Sequence, residues 1–316
     1  MGKNISQYFP QQKPNSETPY GAFIYADDIL LLSASRTGLQ SMVDICVNFT
    51  RKKNLKFGTN INPTKSKTKC IAFSKKSRDR KNLLPINLDG LPLPWVQKVS
   101  HLGCTLDSEN SMKPDIALKR GKFIGKINSL TQEFHYASTD VQLKLLTTYA
   151  TSFYGSPLWD PLSKECDRIY SSWNVAIRNL LDLDRRTHRY FIEPLTDCLH
   201  PQVMLLSRMV GFFKKQLDSP KFCIRFLIKI CQNDQRTNIG KTLDHVMKQC
   251  NVRKADLNSL TTSMIKRKMQ YMPVPDDEKW RVPMLKDLLS TRNGRNVIPG
   301  FFSKEIEDVI KWLCTS

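Results

Sequence analysis

Two adjacent carboxylates open the chemistry available to this chain. Tyr25-Ala26-Asp27-Asp28 lies between two short apolar runs within residues 20–33 that carry no other acid. Runs of that length around a small, acidic turn predict a β-hairpin with the aspartates at its tip. Neighbouring carboxylates repel unless water or a shared cation lies between them. At a hairpin tip they can converge on a divalent metal, and Mg²⁺ held between carboxylates assists phosphoryl transfer. Aspartates are equally at home in an ordinary solvated turn. These four residues leave both readings open.

Behind the tip the charge reverses. From Arg51 to Lys81 there are twelve basic residues, among them Lys52, Lys53, Lys65, Lys67, Lys69, Lys75 and Lys76, against one acid, Asp79. A run of this kind gathers phosphates, and it also reads as a solvated loop. A second basic group is Lys119, Arg120, Lys122 and Lys126. A third, Arg185 and Arg186, follows a predicted helix, where cations suit the helix dipole and can equally grip a phosphate. The whole chain of 316 residues carries a formal charge of +20. That excess argues against a generic metabolic enzyme and favours a polyanionic partner, nucleic acid first and an anionic membrane surface second.

The elements that must position these groups follow from periodicity. Leu39, Met42, Val43, Cys46 and Phe49 predict an amphipathic helix over 37–53. Leu55–Phe57 and Cys70–Ser74 read as strands, Asp89-Gly90 as a turn, and Val99–Leu106 as a strand or tight hairpin. Beyond Pro114 the pattern turns helical. Ile116, Phe123, Ile127 and Leu130 mark one helix, Val141, Leu145, Leu146, Tyr149 and Phe153 a second, and Ile169, Trp173, Ile177 and Leu180 a third. Further helices are predicted at 201–217, 221–232, 239–250, 255–270 and, after a Pro- and Gly-containing loop at 273–300, at 303–314. Strands followed by helices define an α+β chain, with a boundary near 107–114 and a polar tail over 1–19. Trp159 and Trp173 sit among apolar residues and read as core anchors.

The nine cysteines are odd in number and form no C-x-x-C pair, and the five histidines form no H-x-x-x-H pair. Buried free thiols in a reducing compartment, without structural zinc, are expected. With no secretory h-region and no run of about 18 apolar residues, the expected location is intracellular, in nucleus or cytoplasm.

Taken in order, the motifs resemble the reverse transcriptases of non-LTR (LINE-like) retrotransposons. YADDILLLS at 25–33 is similar to the Y-x-D-D metal hairpin of their palm. Asn62-Pro63-Thr64-Lys65-Ser66 is similar to the N-x-x-K-[ST] motif that follows it, and Leu102-Gly103-Cys104 to the primer-grip hairpin. KFIGKIN, SFYGSPLWD at 152–160, SSWNVAIRNLLDL at 171–183 and RTHRYFIEPL at 186–195 resemble the helical thumb and the region after it. The resemblance covers about 20–215. It implies a partial palm over 20–110, a helical thumb over 111–215 and a helical extension over 216–316. It also implies RNA-directed DNA polymerisation with Mg²⁺ on Asp27, supported by Asp28, Tyr25 beside the primer end, and Lys65 near the incoming triphosphate. RNA or an RNA–DNA hybrid would be the partner.

The family also draws a third palm carboxylate and the fingers from segments before this hairpin. Only 26 residues precede Asp27, and Glu17 is their sole acid. The expectation is therefore a mid-palm fragment that does not polymerise by itself. A basic nucleic-acid-binding module and an inert retrotransposon relic are the alternatives.

The tail carries two short patterns. Met1-Gly2-Lys3-Asn4-Ile5-Ser6 fits the N-myristoylation pattern. Ile5, Tyr8 and Phe9 resemble the one-turn hydrophobic plug by which replication proteins bind the DNA sliding clamp, although Gly2 stands where glutamine is usual. An inert tail is the third reading.

Overall fold

The computed structural model describes residues 21–60, 62, 65–74, 83–181, 183, 185, 196, 198–253, 256 and 259–269. The tail with Ile5, Tyr8 and Phe9, as well as Lys75, Lys76, Arg186 and the segments predicted at 186–195, 273–300 and 303–314, lie outside them. The chain is mixed α and β. Among the described residues it has three two-stranded sheets, followed along the chain by helices. It divides into two compact units. One contains residues up to His101 together with Thr105–Ser111, and the other contains Leu102–Cys104 and the chain from Met112.

In the first unit, β1 (Gly21–Tyr25) and β2 (Asp28–Leu32) form an antiparallel hairpin, and helix α1 (Arg36–Lys52) follows. Ser35 caps α1, its Oγ accepting from Gly38 N at 3.1 Å. The C-terminal end is closed by Asn54 in the left-handed region (φ 53°). Asn54 N donates to Arg51 O and Leu55 N to Thr50 O, which satisfies carbonyls the helix would otherwise leave open.

This cap accounts for the first departure from expectation, since Leu55 is spent on helix termination and Leu55–Phe57 forms no strand. Cys70–Ser74 is likewise no strand. Cys70 makes a single parallel bridge to Trp95, through Cys70 N to Pro94 O and Val96 N to Cys70 O.

β3 (Ile86–Leu88) and β4 (Leu91–Leu93) flank the Asp89-Gly90 turn, whose φ angles of 55° and 80° give a primed hairpin turn. Val43 and Val47 of α1 pack on Ile86, Leu88 and Leu93, with Leu31, Leu39 and Phe57 beside them. Polar clamps fix the register. Gln40 both donates to Asn87 O and accepts from Asn87 N at 2.8 Å, Arg36 donates to Pro85 O at 2.8 Å, and Arg51 pairs with Asp89. β5 (Lys98–His101) and β6 (Cys104–Asp107) make a third hairpin around Leu102-Gly103, as the sequence predicts.

The second unit is helical. α2 (Lys113–Glu133), α3 (Thr139–Leu145), α4 (Lys164–Leu180) and α5 (Pro201–Leu217) surround an aromatic core. Phe123 stacks on Trp173 at 6.3 Å and meets Phe153 at 5.4 Å, and Phe153 meets Trp159 edge-on at 6.1 Å. Both tryptophans are fully buried, and Trp159 Nε1 donates to Asp115 Oδ2 at 2.8 Å. α5 also joins α6 (Phe222–Asn233), α7 (Asn238–Cys250) and α8 (Thr262–Met269) around a second core of Leu206, Val210, Phe213, Leu243, Val246 and Leu260.

The second departure lies between α3 and α4. The apolar row Val141–Phe153 predicts one continuous helix. Regular α-helix instead stops at Leu145, and a π-helical turn, Leu146–Ala150, follows it. The chain then passes through Phe153 at φ 29° and Gly155 at φ 83°. Tyr149 is consequently turned out to solvent while Phe153 stays in the core.

Candidate functional site

The acidic residues sit where the sequence places them. The β1–β2 register pairs Gly21 with Leu32, Phe23 with Leu30 and Tyr25 with Asp28, and these residues share one face of the hairpin. The other face carries Leu31 into the α1 core. Tyr25 and Asp28 are thus cross-strand partners, a relation that brings Cβ atoms within about 5.5 Å. Asp27 stands in the turn, and Phe23, Tyr25, Asp27, Asp28 and Leu32 are all exposed. Of the two central turn residues only Ala26 is left-handed, at φ 52°. A side chain there costs roughly 1 kcal/mol or more, which glycine would not incur.

The basic loop is ordered by its own backbone. Lys67 N and Thr68 N both donate to Gly58 O, and Lys65 N donates to Asn62 O. Ser66 and Cys70 are buried while Lys65, Lys67 and Lys69 are exposed, so the three lysines alternate outward. Among the described residues no ion pair or hydrogen bond joins Lys65 to Asp27 or Asp28. Lys52 and Lys53 stand at the C-terminal end of α1, where cations also offset the helix dipole.

On α2 the four predicted cations separate into two roles. Arg120 turns toward α4, its Nε donating to Ser172 Oγ at 2.9 Å and to Arg168 O at 3.2 Å. Its Nε thereby ties two helices together. Lys119, Lys122 and Lys126 instead recur at i, i+3 and i+7 along the opposite flank. Lys119 Nζ donates to Gly103 O at 2.7 Å and lies 5.6 Å from the Tyr154 ring centroid. Lys126 Nζ donates to Tyr149 O at 2.9 Å. Each ammonium has three donors. Arg185 is exposed beyond α4.

Catalytic metal chemistry makes a demand that this donor set does not meet. Two-ion phosphoryl transfer needs carboxylates on both sides of the metals. Among the described residues no group of three or more His, Cys, Asp or Glu side chains is gathered to hold a metal ion. Asp27 and Asp28 offer two water-exposed carboxylates, which form one side of such a site.

Cys46, Cys70, Cys104, Cys166, Cys198, Cys231 and Cys250 are free thiols. Burial pushes the thiols of Cys70 and Cys166 up to about 11 and raises those of Cys46, Cys104 and Cys250. Such thiols are poor nucleophiles at neutral pH. Among the described residues no helix is long and apolar enough to cross a membrane.

No protein-family model, curated protein or solved structure matches the chain.

Proposed function

We propose that the chain is the palm hairpin and helical thumb portion of a non-LTR retrotransposon reverse transcriptase, and that in this form it holds RNA or an RNA–DNA hybrid without extending it. The observation that carries the reading is the acidic turn. Tyr25 and Asp28 are paired across the strands on the open face of a hairpin whose other face is locked to α1, with Asp27 beside them at a left-handed bend. A two-residue hairpin turn requires a positive φ at its first central position, so Ala26 serves the tight turn that sets Asp27 and Asp28 side by side at the tip. The order of the quoted motifs, the +20 charge and the lysine row on α2 add support.

Holding a polynucleotide needs only cations spaced along a backbone. Polymerisation needs metals held in line, and two exposed carboxylates do not supply that. The test is a gel-shift series with an RNA–DNA hybrid, run beside a primer-extension assay with Mg²⁺ and dNTPs. The expected result is a shift that weakens steeply with salt and no extension product. Absence of any shift contradicts the reading, and a detectable extension product contradicts the catalytic silence.

A further inference from the structure

We propose that Tyr149 and Tyr154 are base-stacking platforms of a single-strand polynucleotide site whose phosphates lie along Lys119, Lys122 and Lys126. This inference rests on the polynucleotide-holding reading above and assigns it a ligand form and a place.

Two large rings stand in water beside a row of cations. Tyr149 is 59% exposed and Tyr154 is 63% exposed. Neither is a stray surface residue, because the backbone beneath each is fixed. Tyr149 projects from the π-helical turn between Leu146 and Ala150, which are both buried. Such turns are rare and recur at functional sites. Lys126 Nζ holds the carbonyl of Tyr149 itself.

Tyr154 is presented by more unusual backbone. Phe153 before it is a bulky residue at φ 29°, and Gly155 after it is at φ 83°. Any side chain on Gly155 would meet Cys104 Sγ, since a Cβ there would lie 2.6 Å away. The ring is also backed. A Cβ on Gly103 would come within 3.2 Å of its Cε1, and Lys119 Nζ lies 5.6 Å from its centroid. A strained phenylalanine that keeps its own ring in the core and sends the next ring outward points to a surface with a use.

Spacing selects the ligand. Lys119 marks the position of Tyr154 and Lys126 that of Tyr149, seven residues apart on α2. Seven residues of helix rise about 10 Å. A polynucleotide strand covers that distance in at most about three steps, since roughly 3.4 Å is the step of fully stacked duplex bases and unstacked bases lie further apart. Lys122 falls between the other two lysines. The two ammoniums that hold carbonyls keep further N–H donors for phosphate oxygens. Bases in a duplex are already stacked and cannot lie on tyrosine, whereas unpaired bases can do so whatever their sequence. A duplex would engage the lysines alone.

The test uses fluorescence anisotropy with the full chain, a labelled oligouridine and a matched RNA duplex. Its variants are Tyr149→Ala with Tyr154→Ala, Tyr149→Phe with Tyr154→Phe, and Lys119→Gln with Lys122→Gln and Lys126→Gln. The alanine pair is expected to weaken single-strand binding at least tenfold and to leave duplex binding unchanged, while the phenylalanine pair restores it. The lysine triple weakens both. A 2-aminopurine base in the oligomer should be quenched by wild type and by the phenylalanine pair, and not by the alanine pair. If the alanine pair binds single strands as wild type does while the lysine triple fails, the stacking inference falls and the polynucleotide reading stands. If wild type binds neither ligand, both fall.

Discussion

Ala26 and Phe153 occupy the left-handed region at φ 52° and 29°, positions that cost a side chain free energy and that glycine takes freely. Both precede exposed residues of chemical interest, Asp27 and Tyr154. At Ala26 the price is modest because the methyl group is small and the turn is open to water. Ala26→Gly is therefore expected to stabilise the protein by up to about 1 kcal/mol, since relief at the turn exceeds the added freedom of the unfolded chain. Chemical denaturation of the two proteins measures it, and a less stable glycine variant would show that the alanine is not strained. The acidic pair itself was legible as residues, because aspartates between two apolar runs leave few alternatives to a hairpin tip. Its alliance with Tyr25 was less so, because cross-strand pairing depends on register, and register is set by which face meets α1.

Among the elements, those with a strong period are legible in the sequence and those decided by a distant partner are not. The amphipathic row of α1 predicts its span to within a residue at each end. The β5–β6 hairpin was also legible. The strands at 55–57 and 70–74 failed because a strand needs a ladder partner, and the first was consumed by the α1 cap while the second found one bridge. The helix over 141–153 failed at Leu145, where five residues of apolar spacing continue through a wider turn. The downstream Gly155 and Pro157 were the available signal. Basic residues on one helix form one group in the sequence, yet helical geometry sends Arg120 Nε to α4 and the three lysines to the other flank.

Within α7, His245 has a pKa lowered chiefly by burial, with Asp244 pulling it up and Lys248 pushing it down in smaller measure. The fold favours the neutral imidazole. Its stability is full above the ordinary histidine value near 6.5 and declines as pH falls through that value toward the lowered one. The melting temperature should therefore drop between pH 7.5 and 5.5, and less so in His245→Gln. An equal drop in both proteins would remove His245 from the cause.

At the scale of the whole molecule, charge and core are divided between different tasks. Two aromatic and aliphatic clusters hold the helical unit, and a smaller one holds the hairpins on α1. Among the described residues no Lys or Arg is buried in these cores. Composition made the formal charge of +20 plain. Composition carries no geometry, so the lysine row of α2 appears only once the helix is wound. The central claim is that this charge holds polynucleotide phosphates. The most direct measurement is the slope of log affinity for an RNA–DNA hybrid against log salt concentration, for wild type and for Lys119→Gln with Lys122→Gln and Lys126→Gln. The account predicts a steep negative slope for wild type, made shallower by about 2 to 3 in the triple variant, as expected when three phosphate contacts are lost. A flat slope for wild type, or identical slopes for the two proteins, would contradict it.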